Sequence, residues 1–500
     1  MNTDPIAVGI VAGAAVILVA IVGVRFAGRL GVPGLLLYLI IGVILGVLFP
    51  DVGVEDPGLA VILGSSALIL ILAQGGLTTP WTRLRPVLWP SLALATVGVA
   101  ISIAVVALPL IWLAGMDTRL ALILASVVAA TDAAAVFSVL RRVNVVPRLR
   151  TLLEGEAGFN DAPVVVIVTL LATNSMTAEP WLIPVLVVLE LLGGAAIGIA
   201  LGFAARWIMP RIALPAVGLY PIAALTVIVA SYGLALLVHA SGFMAVYVAA
   251  VILGSAENLP HRRSILGFSD GLSWIAEIGL FVMLGLLADP TRLPQSLGIA
   301  LVAVLAVTFL GRPLAALVSL APFRMPPRFI AFTSVAGLRG AVPIVFAAIP
   351  LGLGMPGAEL VFDATFILVF VLTAVQTPAL PWAARRLRVE SEERTGELDV
   401  DIAPLDEMHA VVMGFDLPMS SRLAGMFVRE LGLPEGAAVS LVIRDQRASV
   451  PDSETRLRAG DRLVVVAAEG CRSETETRLR ALDRAGRLAG WRGERGIEDA

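Results

Sequence analysis

Apolar runs of about twenty residues recur from the N-terminus to about residue 384, and nothing else in the chain narrows its architecture so far. A helix needs roughly 20 apolar residues to cross a hydrocarbon core of about 30 Å, and a soluble core has no use for so many runs of that length. Hydrophobic residues make up 58% of the 500 residues and charged residues 15%. The pattern predicts about thirteen spans, near residues 6–27, 34–50, 59–77, 86–115, 119–140, 152–173, 181–208, 214–238, 242–256, 265–288, 295–321, 328–351 and 358–384. The first is too long, and Asp4 too near its start, for a cleaved signal peptide. Cys471 is the single cysteine, which excludes an internal disulfide framework.

The charges are placed rather than spread. Alternate connections carry Arg25 and Arg29, Arg83 and Arg85, the group from Arg141 to Arg150, Arg206 and Arg211, Arg262 and Arg263, Arg324 and Arg328, and the group from Arg385 to Arg388. The intervening connections are acidic or neutral apart from Arg119 and Arg292. This is the positive-inside pattern, and it predicts an outside N-terminus, a cytoplasmic C-terminus and an odd number of spans in a cell membrane.

From about residue 400 the composition changes. "HAVVMGF", "AAVSLVIRD" and "DRLVVVAAE" read as short strands, "SRLAGMFVREL" has helical spacing, and "RVESEERTGELDVD" reads as a charged linker. The expected fold class is an all-α polytopic membrane protein with a small α+β cytoplasmic domain. Its divisions are a transmembrane domain over 1–388, a linker over 389–402, a regulatory or dimerising module over 403–470 and a charged tail over 471–500. No glycine-rich dinucleotide fingerprint follows a strand in this tail, no phosphate loop is present and no residues have zinc-ligand spacing. Cofactors, enzymatic activity and nucleic-acid partners are not expected.

Ionisable residues inside spans cost several kcal/mol each, so each is a functional hypothesis by default. Asp132, Asp161 and Arg339 lie about 13, 10 and 11 residues into their spans, roughly 15–20 Å from the helix starts and near the middle of the core. Three charges at one depth imply one shared site. Glu156 and Asn160 share a helix face, while Asp161 is rotated about 100° from Asn160, so Glu156 is free to find another partner. Arg339 is the buried cation at a matching depth, which predicts a Glu156–Arg339 ion pair tying two spans together. Asp161 is then left to hold either a proton or a metal ion near neutral pH, with Asn160 as a neutral ligand beside it.

The fifth span carries Thr131 and Asp132 between two apolar halves, and the twelfth is broken at Gly337, Gly340 and Pro343. Two interrupted helices seven spans apart fit inverted repeats, with spans one to six repeated as eight to thirteen, and a site where the breaks meet. Asp132 could offset the positive helix ends there and Arg339 the negative ones. Arg312 lies close enough to a span end to snorkel, although it could also pair with Glu277. Gln74, polar in mid-span, is expected to face other helices.

"ATDAAAVFSVL" at 130–140, "LEGEAGFNDAPVV" at 153–165 and "GLRGAVPIVFA" at 337–347 together resemble the cation:proton antiporters of the NhaP and Na+/H+ exchanger type. The wording "TDAAAVFS" is closest to the bacterial potassium/proton members. The resemblance implies that Asp161 alternately binds a monovalent cation and protons, that Asn160, Thr131 and Asp132 line its site, and that Glu156 pairs with Arg339. It implies electroneutral exchange, homodimers, and movement of a six-helix core against a dimerisation domain. One position departs from the family pattern: Ala157 stands where a serine usually supplies a ligating hydroxyl. "GAAVSLVIRDQRASVPDSETRLRAGDRLVVV" resembles the C-terminal subdomain of regulator-of-potassium-conductance (RCK/TrkA) proteins, which implies dimerisation and a small regulatory ligand such as a nucleotide or cyclic dinucleotide. The leading function is therefore exchange of K+, with Na+ second, for H+. The rivals are a cation channel, for which no filter-like sequence is found, and a transport-inactive membrane sensor, for which Ala157 is the only hint.

Overall fold

The structure, a computed structural model, describes residues 13–23, 34–48, 57–133, 135, 136, 143, 145–173, 182–256, 258–391, 400–405, 410–418, 421–444 and 447–486. The chain divides into two compact units, Met1–Glu390 and Ser391–Ala500.

The first unit is helical. Among the described residues, eight helices are long and apolar enough to cross a membrane and five more are shorter, one for each expected span. In chain order they are α1 (Gly13–Gly23), α2 (Gly34–Leu48), α3 (Pro57–Thr78), α4 (Trp81–Trp112), α5 (Thr118–Ala129), α6 (Pro147–Ala172), α7 (Leu182–Ile208), α8 (Leu219–Leu237), α9 (Gly242–Gly254), α10 (Arg262–Leu287) and α11 (Leu293–Phe323). The twelfth span is split into α12 (Pro327–Val335) and α13 (Ala341–Gly352), and α14 (Ala358–Leu387) completes the unit. Local chemistry sets several starts: the Asp117 carboxylate accepts the Arg119 N–H to cap α5, and Pro147 opens α6 at a position where its missing N–H costs nothing.

Helices α2, α3, α7, α8, α9 and α10 pack mainly with one another, as do α4, α5, α6 and α11 to α14. The two groups meet where α6 lies on α9 and α13 on α3. Every residue of α6 from Thr151 to Val164 is buried, whereas α7 shows a row of apolar side chains from Val185 to Trp207 at its surface. A helix carrying two glutamates, an asparagine and an aspartate within eight residues has to be enclosed by protein, while α7 suits lipid.

Two π turns, Leu94–Gly98 in α4 and Val307–Gly311 in α11, also lie seven spans apart. Each turn packs on the other's helix: Gly98 approaches Ser319, and Gly311 approaches Val106. Each half of the helical unit thus carries a wide turn in one span and a break in the next, which adds a second matched feature to the repeat expected from the breaks.

Among the described residues, the second unit is a five-stranded antiparallel sheet, ordered β1-β2-β5-β3-β4, with one α-helix, α15 (Arg472–Ala485). The strands are β1 (Val400–Leu405), β2 (Ala410–Asp416), β3 (Ala437–Arg444), β4 (Arg447–Ser449) and β5 (Arg462–Ala468). Alternate residues Val411, Met413 and Phe415 of β2 and Leu463, Val465 and Ala467 of β5 join Leu479 and Leu482 of α15 in one core. The three expected strands are present. β1, which straddles the boundary expected at 402 between the linker and the module, and the three-residue β4 are additions. The helix expected over Ser421–Leu431 is instead turns and one 3-10 turn, Val428–Leu431. Its backbone donors are committed elsewhere: Gly425, Val428 and Arg429 donate to Leu457, Thr455 and Ser453. Long-range hydrogen bonding overrides the helical spacing there.

Candidate functional site

The two interrupted helices meet. α5 ends at Ala129, and Ala130 to Asp132 run on outside any helix. Opposite them, residues 336–340 are the non-helical link between α12 and α13. The Asp132 N–H donates to the Leu338 carbonyl at 3.0 Å, so the breaks touch through their backbones. The Asp132 carboxylate accepts the Ala341 N–H at 2.6 Å, at the first residue of α13, and the Ala135 N–H at 3.4 Å. A carboxylate there neutralises the positive end of the helix dipole. The approach is so close that a Cβ at Gly340 would stand 1.9 Å from Asp132 Oδ2.

Arg339 does the converse job. Its Nε donates to the Val128 carbonyl at 3.0 Å and its Nη1 to the Gly337 carbonyl at 2.6 Å, which caps the C-terminal ends of α5 and α12. Thr373 of α14 donates to the Arg339 carbonyl at 2.8 Å and holds the link from behind. The assignment of Asp132 to the positive ends and Arg339 to the negative ones is therefore what the geometry shows.

The predicted Glu156–Arg339 ion pair is not formed. Glu156 is held instead by Arg312 of α11, whose Nη1 and Nη2 fork onto Glu156 Oε1 and Oε2, the second at 2.8 Å. Arg312 also donates from Nε to the Thr333 carbonyl at 3.2 Å, and it is 4% exposed, so it does not snorkel. A Cβ at Gly337 would lie 2.3 Å from Arg312 Nε, which is why that position has no side chain. The physical reason for the exchange of partners is the break itself. It bares carbonyls that need a donor, and Arg339 is spent on them, leaving the arginine of an unbroken span for Glu156.

Asp161 and its neighbours are differently placed. Asn160 donates from Nδ2 to Thr131 Oγ1 at 3.1 Å and to the Ala129 carbonyl at 3.4 Å, joining α6 to the break in α5. That leaves Asn160 Oδ1 without a hydrogen bond, and neither carboxylate oxygen of the fully buried Asp161 has one. Asp132 is near enough for its charge to act on Asp161. Asp161, Asn160, Thr131 and Asp132 are thus brought to one place, as the sequence predicts, and Glu156 and Arg339 are not brought to each other. Unpartnered oxygens of this kind, buried beside a crossing of helix ends, can take a proton or a weakly hydrated cation. Among the described residues no group of three His, Cys, Asp or Glu side chains could hold a resident metal ion.

Outside the crossing, Gln74 faces another helix as expected, donating to Asp270 Oδ1 at 3.3 Å. Sequence reasoning did not find the charge cluster formed by Arg292, which reaches Glu359 at 3.4 Å and Asp289 and Asp363 at 3.6 Å each. Arg292 was visible only as an exception to the arginine pattern, and the buried Asp363 sits in α14 with no motif around it.

The family described as the transmembrane sodium/hydrogen exchanger matches residues 15–386, and the TrkA-C domain matches residues 412–470. The K(+)/H(+) antiporter NhaP2 of Shewanella baltica is 32% identical over 91% of this chain and 80% of its own. The K(+)/H(+) antiporter NhaP of Alkalimonas amylolytica is 33% identical over 86% and 75%. The Na(+)/H(+) antiporter ApNhaP of Aphanothece halophytica is 28% identical over 69% and 68%. The sodium proton antiporter MjNhaP1 from Methanocaldococcus jannaschii shares the fold with a TM-score of 0.66 at 21% identity, over 77% of this chain and 99% of its own.

Proposed function

Since the chain belongs to the sodium/hydrogen exchanger family and is a multi-pass cation/proton antiporter, we propose that Asp161 is the group at which its monovalent cation and its proton compete, and that the cation is mainly K+. The observation that carries this reading is the pair of Asp161 oxygens, fully buried and without a hydrogen bond, beside the equally unpartnered Asn160 Oδ1. A carboxylate so enclosed holds a proton when no cation is present and gives it up when one arrives, because two positive charges cannot share the small space. Thr131 and Asp132 complete the lining. Asn160 beside Asp161 is neutral and the Asp132 carboxylate is committed to the Ala341 N–H, so Asp161 alone makes the trade and one cation leaves for each proton that enters.

Two relatives named as K(+)/H(+) antiporters support the choice of K+, and the relative named for Na+ keeps that ion as the second candidate. Ala157, four residues before Asp161 and on its face of α6, removes one hydroxyl that could strip water from a smaller ion. The TrkA-C match supports a regulatory role for the second unit, with a small ligand acting on a homodimer. The arginine pattern supports a C-terminus in the cytoplasm.

The test is recovery of a pH-gradient dye signal in proteoliposomes on addition of K+, Na+ or Li+ across neutral to alkaline pH. K+ gives the largest recovery, and Asp161→Asn reduces it to that of empty vesicles. A variant that still exchanges would remove Asp161 from the site; recovery by Na+ alone would overturn K+.

A further inference from the structure

The face of α6 that carries Asp161 continues beyond the exchange site towards the start of the helix. Glu154, Gly158 and Asp161 follow one another at i, i+4 and i+7, so they form a single stripe running about 10 Å from the Arg150 end of the helix to the ion site. Glu154 begins it, paired with Arg150, whose Nε donates to Glu154 Oε1 at 2.8 Å; the Arg150 side chain is 43% exposed. The middle of the stripe is a gap, because Gly158 has no side chain. Tyr247 of α9 fills that gap. A Cβ on Gly158 would stand 2.4 Å from both Cε2 and Cζ of the Tyr247 ring.

The seat is shaped for a ring and not for its hydroxyl. Tyr247 is completely buried and stands edge-on to Phe159, with ring centroids 5.0 Å apart. Its hydroxyl lies beside Thr79 and within the field of Glu154, yet makes no well-formed hydrogen bond. The ring thus lies over Gly158, the position midway along α6 between Glu154 and Asp161, where α6 of one helix group meets α9 of the other.

We propose that Tyr247 is the gate on the Arg150 side of the ion site: seated on Gly158 it separates Glu154 from Asp161, and ions pass when α6 and α9 shift and the ring leaves that seat. Glu154 gathers the cation outside the gate. The inference rests on Asp161 being the exchange site.

Sided thiol labelling tests it. In full-length protein in vesicles, with Cys471→Ser, a cysteine at Ala157 (A157C) is exposed to a charged methanethiosulfonate reagent from either side. With Tyr247 in place the labelling is slow, because open states of this kind are populated at about 0.1–10%. Tyr247→Ala accelerates labelling from the Arg150 side by roughly tenfold or more, and Tyr247→Phe, which keeps the ring, labels at the original rate. Gly158→Ala, which pushes the ring off its seat by a different route, also accelerates it and stands in if Tyr247→Ala does not fold. Unchanged rates in both variants, or equal acceleration from both sides, would overturn the gate. Exchange assays on the same vesicles keep the two readings apart. If the unmodified chain moves no cation, Asp161 loses its role; if it does and labelling is unchanged, only the gate falls.

Discussion

Glu156 and Asp161 are five residues apart on one buried helix, equally hidden from water, and the protein treats them oppositely. Glu156 faces α11, where both its oxygens are taken by the Arg312 fork. Asp161 faces the crossing of the broken helices, where neither oxygen is taken. The first arrangement fixes a charge and ties two spans together; the second leaves a charge for something that comes and goes. Burial alone therefore says little about a carboxylate in a membrane, and the presence or absence of a built partner separates a strut from a site.

Substitution should drive the two positions in opposite directions. The largest effect on transport is expected at Asp161→Asn, with loss of exchange and thermal stability unchanged or raised, since a neutral amide is easier to bury than an unpaired carboxylate. Glu156→Gln should do the reverse to stability. It strands Arg312 as an uncompensated buried charge, at a cost of about 3–5 kcal/mol. Thermal unfolding in detergent and exchange in vesicles, measured on both variants, would separate the roles. Replacing both partners, Glu156→Leu with Arg312→Leu, should restore most of the lost stability, because an apolar pair is no worse than an ion pair in that setting. If the double variant is as unstable as the single one, the fork does more than neutralise charge.

Much of this contrast is legible in the sequence, and the part that is not has a definite cause. Apolar runs locate the spans, and the glycines and proline of the twelfth span mark its break. The matching depths of Asp132, Asp161 and Arg339 bring three of the right residues together. Depth fails as a guide to pairing. It favours Arg339 for Glu156, whereas the break creates two bare carbonyl ends, Val128 and Gly337, that claim Arg339 first. Arg312 is given the wrong role, a snorkelling one or a pairing with Glu277, because helical phase is lost just before it. Its own N–H bonds back to Val307, five residues earlier, and one extra residue in a turn rotates all that follows by about 100°. Arg339 lies inside the break and caps its bare carbonyls, whereas Arg312, although it follows Gly311, sits in a helix that continues and so keeps its guanidinium for Glu156. In the tail, period-two alternation reveals the central strands, while β1, coming straight after a charged stretch, does not stand out from its linker.

Asp461 in the strand domain extends the comparison outside the membrane. It takes the Arg444 fork at 2.7 Å through both oxygens and the Arg458 N–H at 2.7 Å. Burial pushes its carboxyl up, but these hydrogen bonds and the two arginine charges outweigh burial and hold it below the ordinary carboxylate range. A folded-state value below the unfolded one means that the contribution to stability is complete above about pH 4 and is lost as pH falls through the folded value. Asp461→Asn should therefore destabilise the strand domain by about 1–2 kcal/mol at neutral pH, moderated by the partial exposure of Arg444, and by less in acid. Hydrogen exchange of β5 amides in the full chain at neutral and acid pH checks this. Equal effects at both would mean that the fork matters for shape rather than charge.

The smallest change should be the most informative about the site. A serine at position 157 would put a hydroxyl one turn before Asp161 on its own face, where the chain now has only the buried Ala157 methyl. One added oxygen is worth about 1 kcal/mol, or about fivefold in apparent affinity. A smaller cation, which gives up its water at greater cost, gains more from it than a larger one. Ala157→Ser is thus expected to lower the apparent KM for Na+ by about that factor relative to K+, with the maximal rate and the stability little changed. If the ratio of the two constants does not move, the ion does not touch this turn of α6. Selectivity would then lie in the oxygens around the crossing, Thr131 and Asp132, and the sharp difference between the two ends of the Glu156–Asp161 segment would narrow to Asp161 itself.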